Sequence, residues 1–221
     1  MITGLIMLSL IPVIAGSVRL AELSGDPEVT AANARFVASP LPVVLHVVSA
    51  TLYTLVGAFQ FSPNIRRRWP RWHRGAGRVL VVAGLTVAGS ALWMAQFYPR
   101  IEGSGDLLYL FRMAFATAMV VSIVLAFVAI RRREIARHRA WMTRAYALGL
   151  GAGTQVFTLW IGGEIFGRTE LSNALLMGTA WSINLVVAEW AIRRRPTHRR
   201  PARKQPARGA RSVVATGRQH V

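Results

Sequence analysis

The residues best able to do chemistry in this chain are polar side chains placed in or beside long apolar stretches, and they form two sets. His46, Gln96, Arg112, Gln155 and Asn184 each interrupt an apolar run. Gln60, His73, Arg74, His138, Arg139, Arg144 and Glu189 stand where such runs meet arginine-rich sequence. A charge at the centre of a membrane helix costs roughly 2.5 to 3.5 kcal/mol on insertion scales, so each such group needs a partner or a purpose. Arg112 needs an acceptor or an anion, and Glu164 is the nearest carboxylate within an apolar run. His73 and His138 are imidazoles among arginines, a field that favours the neutral ring. A neutral imidazole can carry a proton or bind a metal or haem iron.

The elements that must position these groups follow from composition. The 221 residues are 53% hydrophobic yet carry a formal charge of +18, with a mean hydropathy of +0.38. The conflict disappears once the two features are seen to be segregated. Apolar residues fill six runs of membrane-spanning length, and the charges lie between the runs and in the C-terminal tail, the pattern of a polytopic α-helical membrane protein. The runs are continuous rather than alternating, which argues against a β-barrel, whereas a helix satisfies its own backbone in lipid. The chain has no cysteine, so no disulfide or thiolate metal site can form.

The first run occupies residues 1–18 and lacks the basic start of a cleaved signal, so a retained helix is expected. Residues 19–40, with the Gly25-Asp26-Pro27 turn signal, read as an ordered or partly helical loop. The second helix is expected over 41–61, the third over 79–98, the fourth over 107–130, the fifth from a basic collar to 166, and the sixth up to 192. Residues 66–78 and 131–144 hold six arginines each, and the tail from Arg193 adds ten basic residues. Together these are 22 of the 27 lysines and arginines, all on one side in a six-span topology, while seven of the nine acids fall on the other. The positive-inside rule then places both termini in the cytoplasm. The expected architecture is an all-α, six-helix transmembrane bundle over residues 1–192, N-in and C-in, with a disordered basic cytoplasmic tail over 193–221. That tail suits anionic lipid headgroups at the bilayer surface better than specific binding to nucleic acid.

Depth arranges the first set. Counted inward from the acidic side, His46, Arg112, Gln96 and Gln155 fall in one band, with Asn184 at its lower edge. They would form an outward-facing pocket for a small ligand, unless Arg112 and Glu164 pair to hold the bundle closed. In the second set, Glu189 is expected to bridge to a basic collar and fasten the sixth helix to the third or fifth. His73 and His138 begin parallel helices at one depth, as the axial ligands of a single haem b must. His46 lies some 20 Å away by the helical rise, so a two-haem wire is not available. No phosphate-binding glycine loop, zinc helix or nucleophile elbow is present, and no catalytic residue or metal site is assigned. Gly149, Gly151 and Gly153, with Gly84 and Gly89, read as small-residue packing positions.

Several motifs carry a resemblance. P-x-P-V-V-L-H at 40–46, G-A-x-Q-F at 57–61, H-R-x-x-G-R at 73–78, H-R-A-W-M-x-R-A-Y-A at 138–147, G-A-G-T-Q at 151–155 and W-x-x-N-L-x-x-A-E at 181–189 together resemble DUF2306, a bacterial membrane-protein family. The resemblance covers essentially residues 1–190. It implies a multi-pass protein of the bacterial inner membrane and carries no activity, substrate or cofactor. H-R-x-x-G-R is also similar to the opening of a helix in haem-carrying cytochrome b membrane domains. The full set of paired histidines inside the spans of those domains is missing here. Three functions therefore stand side by side: a ligand pocket for transport or sensing, a single-haem redox protein, and a structural or partner-binding protein.

Overall fold

The computed structural model describes residues 2–100 and 104–194. Among the described residues all regular structure is helical: α1 (Ile2–Ser24), α2 (Ala34–Ala38), α3 (Pro40–Gln60), α4 (Pro63–Arg68), α5 (Pro70–Phe97), α6 (Asp106–Arg131), α7 (Ile135–Gly149), α8 (Gly151–Phe166) and α9 (Glu170–Arg193). Pro40, Pro63 and Pro70 stand in the first turns of α3, α4 and α5, where the missing N–H costs no bond and the fixed φ suits a helix. Thr169 and Ser172 close α9 with a reciprocal capping box.

Five helices, α1, α3, α5, α6 and α9, are long and apolar enough to cross a membrane. Their outer surface is apolar too, with Val18, Val82 and Val186 64%, 65% and 68% exposed, as expected of side chains that meet lipid rather than water. The predicted fifth span is not one helix. It is α7 and α8, joined at Leu150, whose N–H still bonds to the Tyr146 carbonyl while Gly153 closes a tighter turn back onto Leu150. Gly149 and Gly151 flank the break, and glycine is a weak helix former that permits such a kink. The 16 residues of α8 rise only about 24 Å. A sixth crossing of a core about 30 Å thick would need the last turns of α7 as well.

Other boundaries shift outward. The first helix runs to Ser24, and His73, Arg74 and Arg78 lie inside α5 rather than before it. The loop between α1 and α2 is ordered around Asn33, which is 3% exposed. Its Oδ1 accepts from the Thr30 N–H at 2.7 Å, and its Nδ2 donates to Glu22 Oε1 at 2.6 Å and to the Glu28 carbonyl at 3.0 Å. The basic tail expected from residue 193 lies, from residue 195 onward, outside the described residues.

The core joins α3, α5, α6 and α7 around Tyr53, Leu80, Ala88, Ile123 and Tyr146. Glycines let these helices approach an aromatic ring: a Cβ at Gly84 would lie 2.7 Å from Tyr53, one at Gly149 2.8 Å from the same ring, and one at Gly57 2.6 Å from Tyr146. Gly151 and Gly153 serve the same way against Trp181 and the Leu8 backbone. Gly89 does not, since nothing among the described residues lies within 4 Å of its Cβ position.

Candidate functional site

At the acidic end of the bundle α3, α6 and α9 begin and α5 and α8 finish, and between them lies a cavity of about 330 Å³. His46 of α3, Arg112 of α6 and Gln155 of α8 all line it. The floor is apolar, built from Val87, Ala88, Met119 and Leu148 with the stacked pair Phe115 and Trp181, whose ring centroids are 4.8 Å apart. Arg35, Tyr98, Arg100 and Tyr109 line it as well, from α2, the end of α5 and the start of α6.

Each polar group is held differently. His46 Nδ1 lies 3.1 Å from the Val87 carbonyl and 3.0 Å from Ser90 Oγ. A carbonyl can only accept, so Nδ1 carries the proton and Nε2 is the acceptor of the neutral ring. Gln155 is 9% exposed, and its Nε2 is buried with no hydrogen-bond partner among the described residues. Arg112 makes no hydrogen bond or ion pair among the described residues. The alternative Arg112–Glu164 pair is not formed among the described residues: Glu164 accepts instead from Arg168, one turn along, at 3.3 Å.

Two members of the predicted pocket stand outside the lining. Gln96 is exposed and sits behind Tyr109, whose hydroxyl donates to Gln96 Oε1 at 2.7 Å. Asn184 is used to fasten the kink: its Nδ2 donates to the Ala147 carbonyl at 3.1 Å, and its Oδ1 accepts from Thr154 Oγ1 at 2.8 Å. In exchange the fold supplies Arg35, which hydropathy leaves in an outer loop. Arg35 stacks over Phe36 at 4.5 Å, and its Nε is buried without a hydrogen-bond partner among the described residues. Burial, then the charge of Arg19, pushes its guanidinium below the ordinary arginine value. Tyr98 anchors this region by donating to the Ser39 carbonyl at 2.6 Å.

At the arginine-rich end, Glu189 of α9 takes a bidentate pair from Arg144 of α7, at 2.5 Å from Nε and 3.0 Å from Nη2. This is the fastening expected of Glu189, made to α7. Arg139 and Arg74 lie in the same region, where Arg66 of α4 is held below the ordinary arginine value by burial, then by the nearby charges of Arg139 and Arg67. Gln60 Nε2 is buried with no hydrogen-bond partner among the described residues. His73 and His138 lie within electrostatic reach of one another. His138 Nδ1 is 2.9 Å from the Ala126 carbonyl, the kind of contact that orients the ring of a ligating histidine. His73 lacks it, its Nδ1 being buried without a hydrogen-bond partner among the described residues. No group of three metal-ligating side chains occurs among the described residues.

No curated protein and no solved structure matched this chain. Residues 43–192 match the family model described as "Predicted membrane protein (DUF2306)". The match begins within α3, so α1 and the Arg35 segment precede it. With that match over more than half its length, and apolar helices fit to cross a bilayer, this chain belongs to the DUF2306 family of predicted membrane proteins.

Proposed function

We propose that this membrane protein binds a small ligand in the cavity at its acidic end, as the substrate site of a transporter or the recognition site of a sensor. The observation that carries the reading is the convergence of His46, Arg112 and Gln155, from three separate helices, on one cavity of about 330 Å³. That is the size of a small-molecule site. A purely structural protein would spend its intramembrane polar groups on one another. Here Arg112 makes no hydrogen bond or ion pair among the described residues, and the buried Gln155 Nε2 has no hydrogen-bond partner among them. With N-in, C-in topology in the bacterial inner membrane, the cavity opens away from the cytoplasm.

The absence of cysteine makes the test direct. Ala116→Cys and Ala152→Cys, both at the cavity wall, should react in intact cells with a membrane-impermeant maleimide, whereas Arg71→Cys at the other end should react only after permeabilisation. Cavity cysteines that stay unlabelled until the protein is denatured would end the reading.

The second reading is a single haem b on His73 and His138, favoured by their proximity and by the Ala126 anchor of His138. Its test is the visible spectrum of the purified protein from cells given a haem precursor. A Soret band that shifts on reduction and is lost in His73→Ala and His138→Ala would establish it, and a folded, colourless protein would remove it.

A further inference from the structure

We infer that the cavity takes an organic anion: one carboxylate or similar group on an apolar body, with the charge held by Arg112, Arg35 and Gln155. This rests on the cavity being a ligand site, and concerns which chemistry fits it.

Charge is the first argument. No carboxylate lines the cavity among the described residues, while three arginines do. Arg100 is neutralised by Asp106 and packs over Tyr109 at 4.5 Å. Arg112 and Arg35 have no carboxylate among the described residues, although they lie within electrostatic reach of each other. Two cations facing one cavity repel, and an anion between them removes the repulsion and supplies charge-assisted hydrogen bonds. An amine or other cation would add to the repulsion.

Gln155 is the second, independent argument. A buried amide N–H without a partner carries a desolvation cost that a ligand oxygen would remove. Gln155 is on α8 and the two arginines on α2 and α6, so donors from three separate elements line the one cavity.

Depth gives the ligand its direction. Arg112 and Met119 both line the cavity and are seven residues apart on α6, about 10 Å along the axis. Gln155 and Leu148 have the same spacing across the kink. The donors therefore lie nearer the mouth, and Met119 and Leu148, 4% and 5% exposed, lie toward the middle of the bundle. An acid enters tail first, its apolar body toward Phe115, Trp181 and Met119 and its charged group at Arg112. Arg35, already stacked on Phe36, is fixed at the entrance.

The experiment uses the full chain in a non-ionic detergent, with octanoate, octan-1-ol and octylammonium as matched probes. Two readouts are taken: the thermal unfolding midpoint, and the rate of maleimide labelling at Ala116→Cys. Octanoate should raise the midpoint and slow labelling, and the alcohol and the amine should do neither. Arg112→Gln should weaken the octanoate effect by roughly tenfold or more, the scale of one charge-assisted bond, and Arg112→Lys should keep part of it. The midpoint of each variant without ligand shows that it is folded. Equal protection by octanol would overturn the anion assignment and leave the ligand site standing, as would labelling that no probe slows. A cysteine that the reagent cannot reach would overturn the ligand site itself.

Discussion

Replacing Gly84 by alanine should destabilise the bundle, while the same change at Gly89, five residues along the same helix, should not. A Cβ at Gly84 would sit 2.7 Å from Tyr53 Cε2 and 2.8 Å from Ile123 Cδ1. Ordinary contact begins near 3.4 Å, so both neighbours would have to retreat by more than half an ångström. They have nowhere to go, since Tyr53 is 1% and Ile123 0% exposed. The opposite edge of the Tyr53 ring already faces Gly149, where a Cβ would be only 2.8 Å from Cε1. The ring cannot leave α5 without pressing on the backbone of α7. Overpacking of this kind costs about 1 to 3 kcal/mol, against a helix-propensity gain of at most about 1 kcal/mol for glycine to alanine. At Gly89 only that gain operates, so Gly89→Ala should be neutral or stabilising. Thermal unfolding of both variants in one mild detergent would separate them by several degrees. A Gly84→Ala protein as stable as Gly89→Ala would refute the claim that Tyr53 is clamped between α5 and α7.

Three further outcomes can be read with the same unfolding assay. Tyr53 OH is buried with no hydrogen-bond partner among the described residues, so Tyr53→Phe should cost nothing or stabilise; Tyr146 OH donates to the Thr54 carbonyl at 2.7 Å, so Tyr146→Phe should lose about 0.5 to 1.5 kcal/mol. The Arg144–Glu189 pair is bidentate, with its side chains 25% and 34% exposed. A double-mutant cycle on it should give a coupling of about 1 to 2 kcal/mol, above a surface pair and below a fully buried one. Asn184→Leu should lower stability by about 1 to 3 kcal/mol, because the Ala147 carbonyl and the Thr154 hydroxyl lose their partner. It should leave octanoate protection of Ala116→Cys intact, and loss of that protection would return Asn184 to the ligand site.

The membrane explains which expectations could be formed from residues alone. Lipid forces apolar residues into long runs and arginines to the ends of runs, so the spanning helices could be read in order from one dimension. Depth was readable for the same reason, since a rise of about 1.5 Å per residue puts His46, Arg112 and Gln155 in one band by counting. The break at Leu150 left a weaker trace, in the flanking glycines, because hydropathy runs through it without change.

What the sequence by itself determined was the helical membrane class, the family, and the depth of each polar group along its helix, because these follow from composition, motif and axial spacing. Only the tertiary structure decided direction around the helix axes and contact between elements distant in sequence. It turned Arg112 into a cavity and away from Glu164. It used Asn184 to hold a kink, left Gly89 facing nothing, and brought Arg35 in from a short helix outside the family match. A polar residue in an apolar run has a depth that counting supplies, but its partner is set by how the helices rotate and pack, which depends on side-chain shapes on every neighbouring helix at once.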